Sequence, residues 1–300
     1  MTQGHTPQKV VPVRHPWRWV TGAILAVLIA QAATSVVTND NFGWPVVWDY
    51  LFDPRVLQGL QNTLILTVLS MVIGVVGGIL LAVMRLSGNP IAAGVASAYI
   101  WLFRGTPLIT QLIFWFYIAA LYPRIGLGVP FGGPEFVSWD TNTLITQFSA
   151  ALLGLGLNEA AYMAEIVRSG IQSVDEGQTE AASALGMTRG RILRRIVLPQ
   201  AMRVIIPPTG NQTISMLKTT SLVIVIGYYE LMVAAGQIYA RNFQTIPLLI
   251  TAALWYLALT SVLTLVQTQI ERRYSRGMSR SSKASRGLVN RLLTSGSDQV

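Results

Sequence analysis

The side chains best suited to chemistry in this chain are charged or polar groups set inside long apolar runs. Glu159, Glu165, Arg168 and Lys218 all lie in such runs. In a bilayer, groups of this kind face a cavity, a partner helix or an ion pair. Asn158, Tyr162, Glu165 and Ser169 are spaced i, i+4, i+7 and i+11, which places them on one helical face. Glu165 and Arg168 stand three apart and can pair locally, tying a helix end to its neighbours in preference to touching a solute. Glu159 has no basic residue at i±3 or i±4, so it needs water, a partner helix or a substrate ammonium. Asn211, Ser215 and Lys218 share a second polar face, surrounded by Gln212, Thr213, Thr219, Thr220 and Ser221. That face can line a solute path or pack at the centre of a dimer. Lys218 would then meet a substrate carboxylate or neutralise Glu159.

Other chemistries are excluded by residue type. Cysteine is absent, which removes disulfide scaffolds, cysteine metal sites and thiol nucleophiles. The two histidines, His5 and His15, precede the first apolar run and have no metal-ligating company. Neither a Ser/His/Asp constellation nor a paired-carboxylate arrangement appears, and no G-x-x-x-x-G-K-[ST] pattern occurs. The chain is therefore expected to be no enzyme, with no cofactor and no metal, and any nucleotide chemistry must lie on another polypeptide. A net charge of +9 might suggest nucleic acid. The basic residues instead cluster at the ends of apolar blocks, which is how bilayer orientation is encoded, so no nucleic acid partner is expected.

The elements that must position these groups are membrane helices. Of the 300 residues, 52% are apolar and 12% charged, with a mean hydropathy of +0.49; ordinary soluble domains carry about 25% charged residues. A helix needs about 20 apolar residues to cross a bilayer, and six blocks qualify: 19–37, 57–84, 106–121, 144–168, 204–227 and 246–270. A cleaved signal peptide is the competing reading of the first. Its apolar core is long and Ala32-Ala33-Thr34 is a poor cleavage site, which favours a retained span. With the N-terminus in the cytoplasm, the inside holds Lys9, Arg14, Arg18, Arg85, Arg104, Arg168, the arginines from Arg189 to Arg203 and the basic residues from Arg272 to Arg291. The outside holds Arg55, Arg124 and Arg241, so both termini are expected to be cytoplasmic. Trp44, Trp48, Tyr50, Tyr122 and Trp139 fall near the outer boundary, where amphipathic rings prefer to sit.

Smaller features follow from this frame. Gly74, Gly77 and Gly78 form a face that allows close helix approach. Asn62-Thr63 opens the second span in a structural role. Arg104 marks the inner end of the third span, where it can snorkel to headgroups or anchor the loop, and Pro107 sits just inside the helix. Pro207-Pro208-Thr209-Gly210 interrupts the start of the fifth span. The stretches 1–18 and 275–300 read as solvated cytoplasmic tails, the latter meeting anionic headgroups through its basic residues.

The most informative stretch is the long inside loop, 170–199. Ser173 and Glu176 have capping-box spacing, predicting a short helix that stops at Gly186, a natural left-handed position. Thr188 can cap a second short helix with Pro199 beyond its end. Ala181, Ala182, Ser183 and Ala184 keep the first helix thin, able to lie deep in a groove of another protein, with Glu180 its one directed charge. An interfacial helix pair resting on headgroups would explain the arginines but not the small-residue face.

Glu180-Ala181-Ala182, three residues to Gly186, nine more to Ile196, one more and then Leu198-Pro199 resembles the EAA loop of ABC importer permeases, EAA-x3-G-x9-I-x-LP, at every anchor. Phe103-Arg104-Gly105-Thr106-Pro107-Leu108 with Gln111, the run from Ala161 to Ile171 including Glu165 and Arg168, and Leu217 to Leu222 resemble segments of polar amino acid permeases. The family often carries an acidic residue where Thr219 stands. The resemblance covers 57–274 and implies an all-α polytopic protein: the five-span type I ABC importer permease core with one extra N-terminal transmembrane helix, 19–38. It further implies a bacterial inner-membrane location, two cytoplasmic ATPase subunits gripping the loop, a second permease copy or paralogue, and an extracytoplasmic amino acid-binding protein. The expected activity is import of polar amino acids by alternating access coupled to ATP hydrolysis on the separate subunit. An ion-gradient-driven secondary transporter, with Glu159 and Lys218 as coupling residues, is the alternative.

Overall fold

The computed structural model describes residues 16–129 and 133–274. The expectations for the N-terminal tail up to His15, and for the tail 275–300, lie outside the described residues. A first helix, α1 (Pro16–Thr38), leaves its side chains from Trp17 to Thr38 exposed, and the indole of Trp44, beyond it, donates to the Val36 carbonyl in its last turn. A short α2 (Trp44–Leu51) leads to the long α3 (Pro54–Leu86), which Asp53 caps by accepting from the Arg55 N–H. Then come α4 (Pro90–Gly105) and α5 (Leu108–Phe116), a hairpin of β1 (Arg124–Gly128) and β2 (Glu135–Asp140), and a single turn, α6 (Thr141–Leu144). The second long helix, α7 (Gln147–Gln172), is followed by α8 (Glu176–Ala184), α9 (Arg189–Ile192), α10 (Leu198–Thr219), α11 (Leu231–Asn242) and α12 (Thr245–Tyr274).

The bundle is organised by α3 against α7. A Cβ on Gly78 would lie 2.4 Å from the Met163 Cβ, and one on Gly77 would lie 2.9 Å from the Ala160 Cβ. Gly74 abuts the Glu159 side chain in the same way. Small residues let backbones approach in lipid, where apolar burial between helices supplies little driving force. Leu66, Leu112, Leu155 and Val223 join α3, α5, α7 and the chain after α10 in one core. Val56, Leu231 and Leu248 join α3, α11 and α12 in another.

Among the described residues, α1, α3, α7 and α12 are long and apolar enough to cross a bilayer, and the bent pair 189–226 and 231–242, at 49°, can supply a fifth span. The expected third span over 106–121 is not one helix. The path runs through α4 and then, after Thr106 and Pro107 in extended conformation, through α5. Proline disfavours helical geometry in the residue before it, which ends α4 there. Pro107 is accordingly the N-cap residue of α5. Arg104 lies beside Tyr162, midway along α7, and does not mark the inner end of a span. The prolines of α10 do not interrupt it either: the helix runs through Pro207 and Pro208, with the Thr209 hydroxyl donating to the Ile205 carbonyl at 2.8 Å. The hairpin is the one β element among the described residues, a local departure from the all-α architecture expected.

Packing at the glycine face yields a first prediction. Gly78→Ala should destabilise the bundle by about 1–3 kcal/mol, since Met163 and the Ala164 backbone stand in the way. Gly94→Ala, with nothing within 4 Å of its Cβ, should be neutral or stabilising by up to about 1 kcal/mol. Thermal unfolding of the two variants in detergent is the measurement. Equal melting temperatures would contradict the packing described.

Candidate functional site

Two regions collect the residues singled out from the sequence. The first is the loop after α7. Gly186 adopts φ +75°, the left-handed end expected of it. The capping box is not formed: Asp175 caps α8 by accepting from the Gly177 N–H, while Ser173 ends α7 and its hydroxyl donates to the Gly170 carbonyl. Asp175 is one residue from the helix start and Ser173 three, so geometry favours the aspartate. Thr188 precedes α9 without a side-chain cap. The second short helix does not stop before Pro199. It continues through a π-helical turn, Leu193–Val197, directly into α10, with the Leu198 N–H reaching back to the Leu193 carbonyl. Pro199 lacks the N–H that an α-helical ladder would use at this point, and the wider turn accommodates the change.

Ala182 is 2% exposed and packs on Ile192 and Val197, with Ile171, Val174, Met187 and Ile196 around them. This small core fastens α8 simultaneously to the end of α7 and to the root of α10. Glu180, Ala181, Ser183, Ala184 and Gly186 are exposed, as are Leu198 and Pro199. Leu185 projects beside them at 83% exposure. It was not singled out from the sequence, although a lone leucine between alanines and the glycine stop was the available signal.

The second region is the middle and C-terminal half of α7. Glu165 pairs with Arg168 at 2.7 Å and also with Arg85 at the end of α3. The carboxylate therefore ties two helices, and Arg85, visible in sequence only as a block-end arginine, is the partner sequence reasoning did not identify. Tyr162 faces outward with the Arg104 guanidinium 5.2 Å from its ring centroid. Asn158 points at the α4–α5 break, donating to the Phe103 carbonyl at 2.9 Å and to Gln111 at 3.2 Å. Gln111 in turn donates to Phe103 and to Thr106. The motif from Arg104 through Gly105, Thr106 and Pro107 is thus a helix break whose freed carbonyls are closed by two amides, as a non-aqueous surrounding demands.

Of the alternatives open to Glu159, the structure shows the partner helix: it is 5% exposed and turned against Gly74 of α3, and Lys218 is not its partner. Among the described residues Lys218 lies within salt-bridge distance of no carboxylate. Lys218, Ser215 and Asn211 are exposed along one face of α10, with Gln212 and Thr219 half-buried beside them. Asn211 accepts from Gln267 of α12 at 2.9 Å. A further buried acid, Glu230, escaped the sequence reading. It caps α11 through the Val233 N–H and accepts from Tyr256 at 2.9 Å, next to Thr63. Asn62 donates to the Tyr229 carbonyl at 2.7 Å, which gives Asn62 and Thr63 the structural role expected. Among the described residues no cluster of three or more His, Cys, Asp or Glu could hold a metal.

Comparison with known proteins follows the same lines. Residues 74–276 match the family described as binding-protein-dependent transport system inner membrane component. The chain is similar to the arginine transport system permease protein ArgU of Corynebacterium glutamicum, 50% identical over 93% of this chain and 86% of that one. It is 37% identical to the arginine transport system permease protein ArtQ of Bacillus subtilis, over 73% of this chain and 92% of that one. With the glutamine transport system permease protein GlnP of Escherichia coli the identity is 35%, over 78% and 98%. A solved amino acid ABC transporter crystallised with histidines contains a similar chain, with TM-score 0.63, 35% identity, and 74% and 95% covered.

The Arg85–Glu165–Arg168 bridge yields a second prediction. Glu165→Gln should cost about 1–3 kcal/mol of unfolding free energy, the range for losing hydrogen bonds to charged partners. Combining it with Arg85→Gln should cost less than the sum of the two single changes. Strict additivity in this double-mutant cycle would show that the pair does not couple α3 to α7.

Proposed function

Because this chain belongs to the family of binding-protein-dependent transport system inner membrane components and is a permease of the polar amino acid ABC type, we propose that it imports such amino acids by alternating access, driven by ATP hydrolysis on a partner. The chain is not an enzyme; the ATPase activity belongs to a separate subunit, and the family also works with a substrate-binding protein. It is a multi-pass membrane protein. The distribution of arginines supports a topology with both termini in the cytoplasm.

The observation that carries the mechanism is the mounting of α8. Its small exposed side, Glu180, Ala181 and Ser183 with the Leu185 knob, is free to enter a groove on an ATPase subunit, while Ala182 fastens the opposite side to Ile192 and Val197. A displacement of α8 is passed to α7 through Ile171 and Val174, and to α10 through the π-helical turn. ATP-driven closure of an ATPase dimer would move the two α8 helices of a permease pair, formed with a second copy or a paralogue. The spans then rock between inward- and outward-open arrangements because α8 is held differently in the two states.

For the solute route, the proposal assigns the exposed face of α10, Asn211, Ser215 and Lys218, flanked by Gln212, Thr219 and the Tyr162–Arg104 stack. Asn158, Glu165 and Arg168 hold the helices that border it. Glu159 is left out of direct contact because it is buried against α3. A loaded binding protein delivers the amino acid from outside. The strong likeness to permeases named for arginine makes arginine the first cargo to measure.

Two outcomes are expected in proteoliposomes or intact cells. Gly186→Val places a side chain at a left-handed position, which costs about 1–2 kcal/mol locally; it should abolish ATP-dependent arginine uptake and weaken retention of the ATPase, with helical circular dichroism unchanged. Uptake that persists after the ATPase is lost would remove the importer reading. Glu159→Gln should leave the ratio of arginine to glutamine uptake unaltered, since the carboxylate does not face the route. A selective fall in arginine uptake would return Glu159 to the substrate path.

A further inference from the structure

The hairpin between α5 and α7 plays no part in the mechanism above, yet its two sides differ sharply. Directly paired residues on antiparallel strands point to the same side. Ile125 faces Trp139 and Leu127 faces Val137, so one side carries four apolar groups. Arg124 faces Asp140 and Gly126 faces Ser138, so the other side is polar. A bulge, in which Phe136 is the unpaired residue, brings the Glu135 carboxylate toward Gly126 on that polar side. The apolar side is open, with Leu127 67% exposed and Ile125, Val137 and Trp139 also exposed. The base is held firmly: Thr141 donates its N–H to the Pro123 carbonyl at 3.0 Å and its hydroxyl to the Tyr122 carbonyl.

We infer that this apolar side is seated in the interfacial layer of the outer leaflet, as an amphipathic β-hairpin lying on lipid. Continuity identifies the occupant. Phe114, Tyr117, Leu121 and Tyr122, all exposed apolar or aromatic groups, recur along the chain from α5 to the start of β1, so exposed apolar surface of the bundle leads toward Ile125 and Leu127. The side chains are also those that membrane interfaces select, a Trp and a Tyr with aliphatic neighbours. No charged group interrupts the apolar side, whereas Arg124, Glu135 and Asp140 lie where water and headgroups would meet them. The hairpin would thereby hold α5 and α6 at a set depth, giving the outer end of the bundle a collar on the membrane. This inference rests on the orientation assigned above, with the hairpin outside.

The absence of native cysteine makes the test direct. Single variants Leu127→Cys, Val137→Cys and Ser138→Cys are spin-labelled in nanodiscs of phosphatidylcholine and phosphatidylglycerol. Collision with oxygen should exceed collision with a polar nickel chelate several-fold at 127 and 137, and the order should reverse at 138. Equal accessibility at all three positions would overturn the inference. So would protection at 127 and 137 that appears only when the binding protein is added, which would make the surface a protein contact. Should 127 or 137 yield too little protein, Ile125→Cys and Arg124→Cys repeat the comparison across the same two sides. In intact cells, a membrane-impermeant maleimide should label Ser138→Cys from outside. Labelling only after permeabilisation would refute the orientation, while the nanodisc measurement still decides the contact with lipid.

Discussion

Close contact between α3 and α7 is the constraint from which the remaining arrangement follows. Gly74, Gly77 and Gly78 leave no side chain between the helices, so Glu159, Ala160 and Met163 rest on bare backbone. In a lipid surrounding, burying apolar surface between helices gains little, and such fitted contacts supply the association. Once the two long helices are joined, α4 and α5 pack against α7, and α11 is drawn to the outer half of α3 through Thr63 and Glu230. Glu165 finishes the C-terminal ends by holding Arg85 of one helix and Arg168 of the other.

A second demand, that backbone groups be satisfied without water, explains where the polar residues went. The break after α4 frees carbonyls at Phe103 and Thr106, and the amides of Gln111 and Asn158 meet them. Residues that look like solute ligands on a helical wheel are thus consumed by the fold's own irregularities. What remains exposed and polar is the face of α10, which no helix among the described residues covers along Ser215 and Lys218. The proposed function accordingly falls where the structure does not need the side chain: along α10 for the solute, and on the free side of α8 for the partner.

The mounting of α8 joins these two places. Because the π-helical turn feeds directly into α10, α9 and the polar helix form one continuous rod, and α8 is joined to it by the packing of Ala182 on Ile192 and Val197. A separate helix–turn–helix resting on the surface, as the position of Pro199 suggested, would transmit motion through a flexible joint. In the proposed mechanism the rod would carry motion through its backbone hydrogen bonds, with α8 seated on it through Ala182, Ile192 and Val197.

Much of this was written in the residues themselves. The apolar blocks, the arginine distribution and the EAA spacing with its left-handed Gly186 depend on local composition and fixed intervals, which is information a linear chain carries. The helical membrane bundle, the expectation of no catalysis and the expectation of a partner-held loop follow from them. Tertiary structure alone decided which way Glu159 turns, that Arg85 is the second partner of Glu165, that Arg104 meets Tyr162 midway along α7, and that the hairpin divides into apolar and polar sides. Each of these is a contact between segments distant in the chain or a register between two strands. A helical wheel reports the face a residue occupies, but the helix that comes to lie against that face is chosen by packing of the whole bundle.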